Sequence, residues 1–220
     1  MNNPVGAVIL FGPPGAGKGT QARVIGQRLG VPHISTGDMI RAQVAAASIM
    51  GQQARAIMAQ GSLVPDEWVN EMVETRLAEP DCRRGLVLDG YPRTTGQAAA
   101  LETLLARNGA RMTVVNILVD YNEIIRRTTG RRLCPRCGTI YNVYARPPRE
   151  ANRCDLDQTP LEIRLDDREE IIRERIQAYE RETRPVIEYL RGRGERIFDV
   201  DGSVEPEQVA AEITRILDAA

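Results

Sequence analysis

The sequence predicts an α/β fold, a three-layer sandwich built around a five-stranded parallel sheet. Its strand candidates are short and almost continuously apolar, as expected of strands that are buried on both faces. They cover residues 5–11, 31–34, 85–89, 113–119 and 196–200. Amphipathic helical patterns separate them, and this alternation of strand and helix is typical of a parallel sheet with helices on both sides.

The helical patterns have recognisable ends. The first follows a Gly-rich segment after the first strand and stops at Gly30. Another starts at Pro65–Asp66, and a third covers residues 97–107. A longer one, at about 167–190, contains Pro185, where we expect a kink or break because proline cannot donate the helical hydrogen bond.

Two segments interrupt the alternation. Residues 35–64 carry a helical pattern without a strand, which predicts a helical insert. Residues 130–167 are rich in Pro, Cys and Arg and predict small hairpins. The core domain would then consist of residues 1–34, 65–129 and 168–220.

Composition excludes several classes of protein. The chain of 220 residues has a net charge of −1 and 42% hydrophobic residues, so a global electrostatic attraction to nucleic acid or an anionic membrane is not expected. No run reaches the roughly 18 apolar residues of a membrane span. The start, MNNPVGAVILFG, lacks a basic region and indicates a strand rather than a signal peptide. We expect a cytoplasmic monomer whose four cysteines are free thiols or metal ligands.

The stretch GPPGAGKGT at 12–20 has the context of a phosphate-binding loop (P-loop), since a strand precedes it and a helix follows. Its glycines let backbone N–H groups approach an anion, and Lys18 adds a point charge. Gly19 stands where Ser or Thr would ligate magnesium, and Thr20 comes one residue late. Magnesium would therefore be held through phosphates, water and a second carboxylate, for which Asp89 at a strand end is the candidate.

Lys18 is the only lysine among 29 basic residues, and it lies in the phosphate loop. The chain therefore has no N-K-x-D motif, which a switch GTPase needs to read its base, and that class of protein is excluded. A motor or helicase ATPase would need a glutamate base near Asp89, and LVLDGYPRT offers none. The single histidine, His33, lies beside a strand and is predicted to be structural. Catalysis by Arg, Lys and magnesium remains, as in a small phosphotransferase.

The whole chain resembles adenylate kinases of the long-lid type. The resemblance rests on GPPGAGKGT (12–20), STGDMIR (35–41), GSLVPDE (61–67), GLVLDGYPRT (85–94), GRR (130–132) and RLDDREEIIRER (164–175). It implies the substrates ATP, AMP and ADP, with Mg²⁺ accompanying ATP, in the reaction ATP + AMP ⇌ 2 ADP. It also implies that the insert at 35–64 binds AMP, and that residues 130–167 form a lid that closes with it over the substrates.

The resemblance implies an AMP site in which Thr36 and Gln97 contact adenine and Arg41 holds the phosphate. A side-chain amide is chemically suited to adenine because it can pair with the base at two atoms. Residue type alone would instead make Thr36 a helix cap. The implied AMP-binding residues are Thr36, Arg41, Ser62, Leu63, Val64, Gly90, Arg93, Gln97, Arg164 and Arg175.

The implied ATP site combines the phosphate loop with residues near the lid. Arg127 would stack on adenine, Arg131 would contact phosphates, and the Val204 carbonyl would meet the base. The ATP-binding residues are Gly15, Ala16, Gly17, Lys18, Gly19, Thr20, Arg127, Arg131 and Val204. The predicted catalytic residues are Lys18, Asp89, Arg93, Arg131, Arg164 and Arg175, since guanidinium groups suit phosphoryl oxygens. Asp166 and Asp167 would orient the arginines.

The lid segment contains CPRCG at 134–138 and CDLD at 154–157. Cys134 and Cys137 have the spacing of a metal knuckle, and Cys154 and Asp157 repeat it. Three thiolates and a carboxylate can complete a tetrahedron, and some adenylate kinases carry zinc in a lid of this pattern. We expect structural Zn²⁺, although iron or cobalt could occupy the same ligands.

Two alternatives remain open at this point. Another nucleoside monophosphate kinase, acting on UMP or CMP, would share most of these motifs, although Thr36 and Gln97 favour AMP. A nucleic-acid-binding ATPase with a zinc ribbon would share the loop and the cysteines. The second is disfavoured by the near-neutral charge and by the 4% content of aromatic residues.

Overall fold

The computed structural model describes residues 6–219; residues 1–5 and 220, which belong to the predicted core domain, lie outside the described residues. Five parallel strands form one sheet in the order β2-β3-β1-β4-β7. The strands of this sheet are β1 (Ala7–Phe11), β2 (His33–Ser35), β3 (Leu86–Asp89), β4 (Met112–Leu118) and β7 (Ile197–Asp201), and β5 (Arg131–Leu133) and β6 (Ile140–Asn142) form a separate antiparallel hairpin. Each predicted strand is confirmed within about two residues.

Helices connect the strands. They are α1 (Lys18–Leu29), α2 (Thr36–Ala45), α3 (Ile49–Ala59), α4 (Asp66–Leu77), α5 (Thr95–Arg107), α6 (Tyr121–Thr129), α7 (Glu169–Ala178), α8 (Arg184–Gly192) and α9 (Pro206–Ala219), with short 3₁₀ turns at Pro80–Arg84 and Leu165–Asp167. The helix predicted from residue 97 starts two residues earlier, because the Thr94 side chain accepts the Gln97 N–H and caps α5.

The sheet is buried on both faces, which explains why its strands lack a polar alternation. All five residues of β1 are buried. Ile9 points into a core shared with α4, α5 and α8, while its neighbour Leu10 points into a second core shared with α1 and α9. The observed architecture is therefore the predicted three-layer sandwich.

The predicted long helix is interrupted one turn before its proline. A π-helical turn at Tyr179–Thr183 joins α7 to α8, with the Arg184 N–H bonded to the Tyr179 carbonyl. Pro185 then lies in the first turn of α8, where a missing N–H costs little. The regular α-helix is interrupted, but by this π turn just before Pro185 and not by a break at the proline itself.

The two interruptions of the core have different characters. Residues 35–64 contain α2 and α3 packed against each other. Residues 130–167 contain the β5–β6 hairpin, extended by isolated bridges such as Leu133 with Glu162. The peptide bond between Tyr91 and Pro92 is cis. None of the helices within residues 6–219 has the length and apolar character needed to cross a bilayer.

Candidate active site and metal cluster

The loop between β1 and α1 exposes a row of backbone donors. Gly17 has a left-handed conformation (φ 94°) and caps the start of α1. The Ala16 N–H bonds to the Pro13 carbonyl, and the Thr20 N–H bonds to that of Gly17. Among the described residues, no protein acceptor meets the N–H groups of Gly15, Gly17, Lys18 and Gly19. These four groups, at a helix N-terminus, form a nest for phosphate oxygens.

Close packing requires glycine at one position of this loop and leaves little room for a side chain at a second. A Cβ at Gly15, where φ is 83°, would lie 2.4 Å from the Thr128 hydroxyl of α6. A Cβ at Gly19 would lie 3.1 Å from the Asp89 Oδ2. The missing side chain at Gly19 thus leaves space beside the carboxylate where a Walker loop would carry a hydroxyl.

Lys18 folds over the loop and faces Asp89. Its Nζ donates to the carbonyls of Gly12 at 2.6 Å and Pro13 at 2.8 Å, which leaves one of three N–H groups for a ligand. Burial lowers the pKa of Lys18 to about 8, against the opposing charge of Asp89. Burial would by itself raise the pKa of Asp89, but His33 and Lys18 outweigh it and hold that pKa below its usual value. His33 Nε2 lies 3.7 Å from Asp89 Oδ2, beyond hydrogen-bond distance.

The predicted catalytic arginines gather near this loop, Arg131 and Arg164 from residues 130–167 and Arg93 and Arg175 from the core. Arg131 binds Asp167 through two hydrogen bonds, one of them 2.7 Å from Nε to Oδ2. Arg175 donates to the Asp166 carbonyl at 2.9 Å and lies 3.0 Å from its carboxylate. Asp166 and Asp167 therefore orient the arginines, as the sequence predicts.

The remaining contacts join the helical insert to the lid segment. Arg41 binds the Asp38 carboxylate at 2.6 Å and lies 3.9 Å from Asp166. Arg164 NH2 lies 3.7 Å from Asp38. The insert also packs on α7, since a Cβ at Gly61 would lie 2.9 Å from the Cβ of Glu174. The two interruptions thus meet over the phosphate loop.

This cluster carries more positive than negative charge. Its six cations are Lys18, Arg41, Arg93, Arg131, Arg164 and Arg175, and its four carboxylates are Asp38, Asp89, Asp166 and Asp167, which gives 6 − 4 = +2. Burial lowers the pKa of Arg93 and of Arg164 to about 10. Within residues 6–219, the buried Nε of Arg164 meets no acceptor. Such a surplus is suited to an anion with several charges.

Beside the cluster lies a cavity of about 110 Å³. Several predicted acceptor-site residues line it, namely Thr36, Arg41, Ser62, Leu63, Val64, Gly90, Arg93, Gln97 and Arg175. Arg164 reaches the cluster through Asp38 instead. The Thr36 hydroxyl donates to the Gly90 carbonyl at 2.7 Å, and Ser35 caps α2 in its place. The capping interpretation of Thr36 is therefore wrong.

Arg127 and Val204 lie together on the other side of the loop. Arg127 donates to the Gly202 carbonyl at 2.8 Å, and its Nε pairs with Glu123 at 2.8 Å. Val204, two residues after Gly202, is 36% exposed. The guanidinium plane of Arg127 is thereby fixed between Glu123 and the Gly202 carbonyl.

The four predicted metal ligands meet in the lid segment. One atom from each of Cys134, Cys137, Cys154 and Asp157 lies within 4.8 Å of all the others. The Sγ atoms of Cys137 and Cys154 are 3.5 Å apart, and Cys134 Sγ is 3.5 Å from each Asp157 oxygen. Tetrahedral Zn–S bonds of about 2.3 Å separate ligand sulfurs by about 3.8 Å, so these side chains fit the ion. Asp155 accepts the Arg149 N–H instead, as expected for a residue out of step with the knuckle.

Hydrogen bonds from outside the cluster orient its ligands. The Thr139 hydroxyl, 3.1 Å from Cys137 Sγ, lowers the pKa of that thiol. The Thr159 N–H lowers the pKa of Asp157. The Tyr141 hydroxyl lies 3.5 Å from Cys154 Sγ and accepts the Asp155 N–H, so its own hydrogen is left for the sulfur. Sequence spacing predicted that these four side chains come together, but it gave no signal for Tyr141.

Other site residues also escaped prediction. Tyr91, Met58 and Tyr179 line the cavity, the last of them at the start of the π turn. Asp66 binds the amide of Gln97 across 31 positions of sequence. Only the folded chain brings these residues to the site, and their local patterns indicate nothing but helix or turn.

Known proteins of similar sequence agree with this geometry. The family model described as adenylate kinase matches residues 10–195. An adenylate kinase from Archaeoglobus fulgidus is 45% identical over 212 residues, covering 96% of this chain and 97% of that protein. An adenylate kinase from an Anaeromyxobacter species (strain K) is 46% identical over 211 residues, covering 96% and 98%.

A third relative, an adenylate kinase from Thermotoga neapolitana, is 44% identical over 213 residues, with 96% of each chain covered. The matches run through the phosphate loop, both interruptions of the core and the cysteine cluster alike. On this match over nearly its whole length, together with the folded site, the chain belongs to the adenylate kinase family.

Proposed function

We propose that Lys18, Asp89 and the arginine cluster carry out the phosphoryl transfer of this enzyme. The reaction itself follows from the family: the chain is an ATP:AMP phosphotransferase, which converts ATP and AMP into two ADP. The observation that best supports our assignment of residues is the convergence of six cations on the phosphate loop, with a local charge of +2. In-line transfer needs positioning and charge neutralisation more than covalent help, and this cluster supplies both.

On the donor side, the four backbone N–H groups of the loop and the third N–H of Lys18 would bind the phosphates of ATP. Gly15, Ala16, Gly17, Gly19 and Thr20 form the wall of this nest. Arg127 and the Val204 carbonyl would hold adenine, and Arg131 would neutralise the phosphates from the lid. The pairing of Arg131 with Asp167 supports this role because it fixes the guanidinium in place.

On the acceptor side, Arg41, Arg93, Arg164 and Arg175 would hold the phosphate of AMP and the transferred phosphoryl group. The backbone at Ser62, Leu63, Val64 and Gly90 would surround the nucleoside. Thr36 and Gln97 would contact the base, and both line the cavity beside the cluster. Arg164 is poised for this role, since its buried Nε meets no acceptor among the described residues.

Mg²⁺ accompanies ATP in adenylate kinases. In this chain Asp89 would hold the ion through water, because Gly19 offers no hydroxyl. The ion neutralises negative charge on the β- and γ-phosphates when it is bound. Lys18 and the loop amides would orient those phosphates, and the buried Asp89 would keep its negative charge because its pKa is lowered.

The division of the chain follows these roles. Residues 35–64 would be the AMP-binding insert, residues 130–167 the lid, and residues 6–34, 65–129 and 168–219 the described part of the core. Contacts from Asp38 and Arg41 to the lid residues Arg164 and Asp166 support closure of both parts over the substrates. Closure would exclude water, which would otherwise hydrolyse ATP.

The lid cluster would bind structural Zn²⁺ through Cys134, Cys137, Cys154 and Asp157. The ion would supply folding energy to a segment with little apolar core and would take no part in chemistry. The three thiols favour a reducing compartment, so we propose a cytoplasmic location. We also propose that the protein is a monomer, which light scattering would test. We propose no nucleic-acid or membrane partner.

A coupled assay with ATP and an acceptor panel of AMP, CMP, UMP and GMP tests the proposal. We expect AMP to give the highest kcat/KM, and Gln97→Ala to lower it for AMP. A higher kcat/KM with CMP or UMP would overturn the proposed base contacts.

A further inference from the structure

The amide of Gln97 is held at both ends by the protein. Its Oε1 accepts the Arg93 backbone N–H at 2.7 Å, and its Nε2 donates to Asp66 Oδ1 at 2.8 Å. The side chain is 2% exposed and lines the cavity beside the arginine cluster. Both ends of the amide are therefore already hydrogen-bonded to the protein.

These two partners allow one orientation only. A backbone N–H can only donate, and an ionised carboxylate can only accept. A flipped amide would place two donors together at Arg93 and two acceptors together at Asp66, and the buried Gln97 side chain would be left with unmade hydrogen bonds, which are costly.

Asp66 is itself fixed from a neighbouring helix. The Thr94 hydroxyl donates to Asp66 Oδ2 at 2.5 Å and accepts the Gln97 N–H at 3.1 Å. Thr94 caps α5, and Asp66 is the first residue of α4. The carboxylate thus joins the starts of two helices and cannot turn away from the amide.

We propose that Asp66 is a specificity-determining positioning residue, which fixes the Gln97 amide so that the enzyme accepts a 6-aminopurine and rejects a 6-oxopurine. The inference rests on the proposed contact between Gln97 and the base of AMP. Asp66 touches no substrate in this scheme and acts through Gln97 alone.

Hydrogen-bond chemistry accounts for the discrimination. With one partner at each end, Gln97 keeps one lone pair on Oε1 and one hydrogen on Nε2. Adenine presents the complement, a donor at N6 and an acceptor at N1. Hypoxanthine presents the reverse, an acceptor at O6 and a donor at N1, which would suit the flipped amide. A site built to hydrogen-bond one pattern rejects the other strongly, because its buried groups are left unpaired.

The alternative is that Asp66 merely stabilises α4 by its charge at the helix N-terminus. Glu67 offers the matched control. It occupies the same first turn with the same charge, but it is exposed and is not among the hydrogen-bond partners of the Gln97 amide, which are Arg93 and Asp66.

The test compares kcat/KM for AMP and IMP, with ATP as donor, in Asp66→Ala, Asp66→Asn and Glu67→Gln. We expect the AMP-to-IMP ratio to fall at least about tenfold in Asp66→Ala, which leaves Nε2 without an acceptor. It should fall about threefold in Asp66→Asn, whose amide oxygen can still accept. Glu67→Gln should stay within about twofold of the unmodified enzyme, as expected for an exposed charge.

Melting temperatures show whether each variant folds, and NMR reports whether the Gln97 side-chain NH₂ is hydrogen-bonded. A ratio that is unchanged in a folded Asp66→Asn or Asp66→Ala variant, with kcat/KM reduced equally for both nucleotides, would overturn the inference. If both variants fail to fold, the unmodified enzyme decides: a Gln97 side-chain NH₂ that exchanges freely with water would refute the hydrogen bond to Asp66, and strong protection would support it.

Gln97→Ala separates a failure of the proposed contact between Gln97 and the base from a failure of the positioning role of Asp66. If this variant keeps the AMP-to-IMP ratio, the proposed base contact fails. If it loses the ratio while the Asp66 variants keep it, the base contact stands and only the positioning role of Asp66 is wrong.

Discussion

The lid cluster and the arginine cluster both hold polar groups close together, and they differ in the kind of ligand that each would bind. The lid brings three thiols and Asp157 within 4.8 Å of one another, a set that would bind one cation permanently. The arginine cluster gathers six cations around the proposed substrate site, where the counter-charge would arrive with the substrates and leave with the products. The lid cluster is therefore suited to stabilising the fold, and the arginine cluster is suited to catalytic turnover.

Their hydrogen bonds reflect this difference. In the lid, protein groups already contact the ligands, as Thr139 does for Cys137 and Tyr141 for Cys154. In the arginine cluster, burial lowers the pKa of Arg93 and Arg164 to about 10, and the Arg164 Nε is left without an acceptor among the described residues. In the proposed mechanism, phosphate binding would offset the cost of burying these cations.

The largest expected effect separates chemistry from folding at Lys18. Lys18→Arg should fold normally yet lose about 10²- to 10³-fold in kcat, because a planar guanidinium is too wide for the nest that holds the slim ammonium between two carbonyls. Steady-state kinetics and thermal melting measure both quantities. Full activity in this variant would show that the lone lysine has no special role.

The converse effect is expected at the lid. Cys134→Ser should lower the melting temperature by about 5–10 °C, because it weakens a ligand that stabilises the native state. The kcat measured at 25 °C should change little. Cys82→Ser is the control, since Cys82 is a buried thiol outside the cluster. Lost activity with unchanged melting would reverse the proposed roles, and elemental analysis without a bound metal would refute the site.

A smaller effect, on zinc affinity, is expected from the hydroxyl group that lies beside one of the proposed ligands. Tyr141→Phe removes the hydroxyl that faces Cys154 Sγ and should weaken zinc binding about tenfold in competition with a chelator. Tyr144→Phe is the matched control, because Tyr144 is 58% exposed and stacks on Arg126 instead. Equal affinities in the two variants would show that the hydroxyl serves only the Asp155 backbone.

The smallest effect concerns pH at the phosphate loop. Since the pKa of Lys18 is about 8, its ammonium is present at pH 7 and lost as the pH rises. Bound phosphate favours the charged form and raises this pKa, so ATP affinity should be about fourfold weaker at pH 8.5 than at pH 7. Calorimetry in two buffers should detect proton uptake on ATP binding at pH 8.5. The uptake should vanish in Lys18→Arg, and its absence in the unmodified enzyme would contradict the prediction.

The sheet was predictable because strands such as β1 are buried on both faces and therefore read as apolar runs. The phosphate loop and the knuckles were predictable because their chemistry depends on local spacing. The contact of Asp66 with Gln97 was not, because it depends on how α4 packs against α5. Pro185 indicated an interruption of its helix, but the π turn before it was not predictable, since the i→i+5 bond occupies residues that otherwise favour an ordinary helix.

The two knuckles of the lid are the same turn formed twice. In CPRCGT the Cys134 N–H bonds to the Thr139 carbonyl and the Gly138 N–H to the Cys134 carbonyl; in CDLDQT, Cys154, Thr159 and Gln158 repeat both bonds. Gly138 and Gln158, at the matching fifth position, both have positive φ, of 72° and 60°. The two hexapeptides therefore share one backbone conformation, and a residue that suits a position in one should suit the matching position in the other. Its second copy retains an unrelieved strain at Gln158, where glycine would satisfy the backbone without touching a ligand.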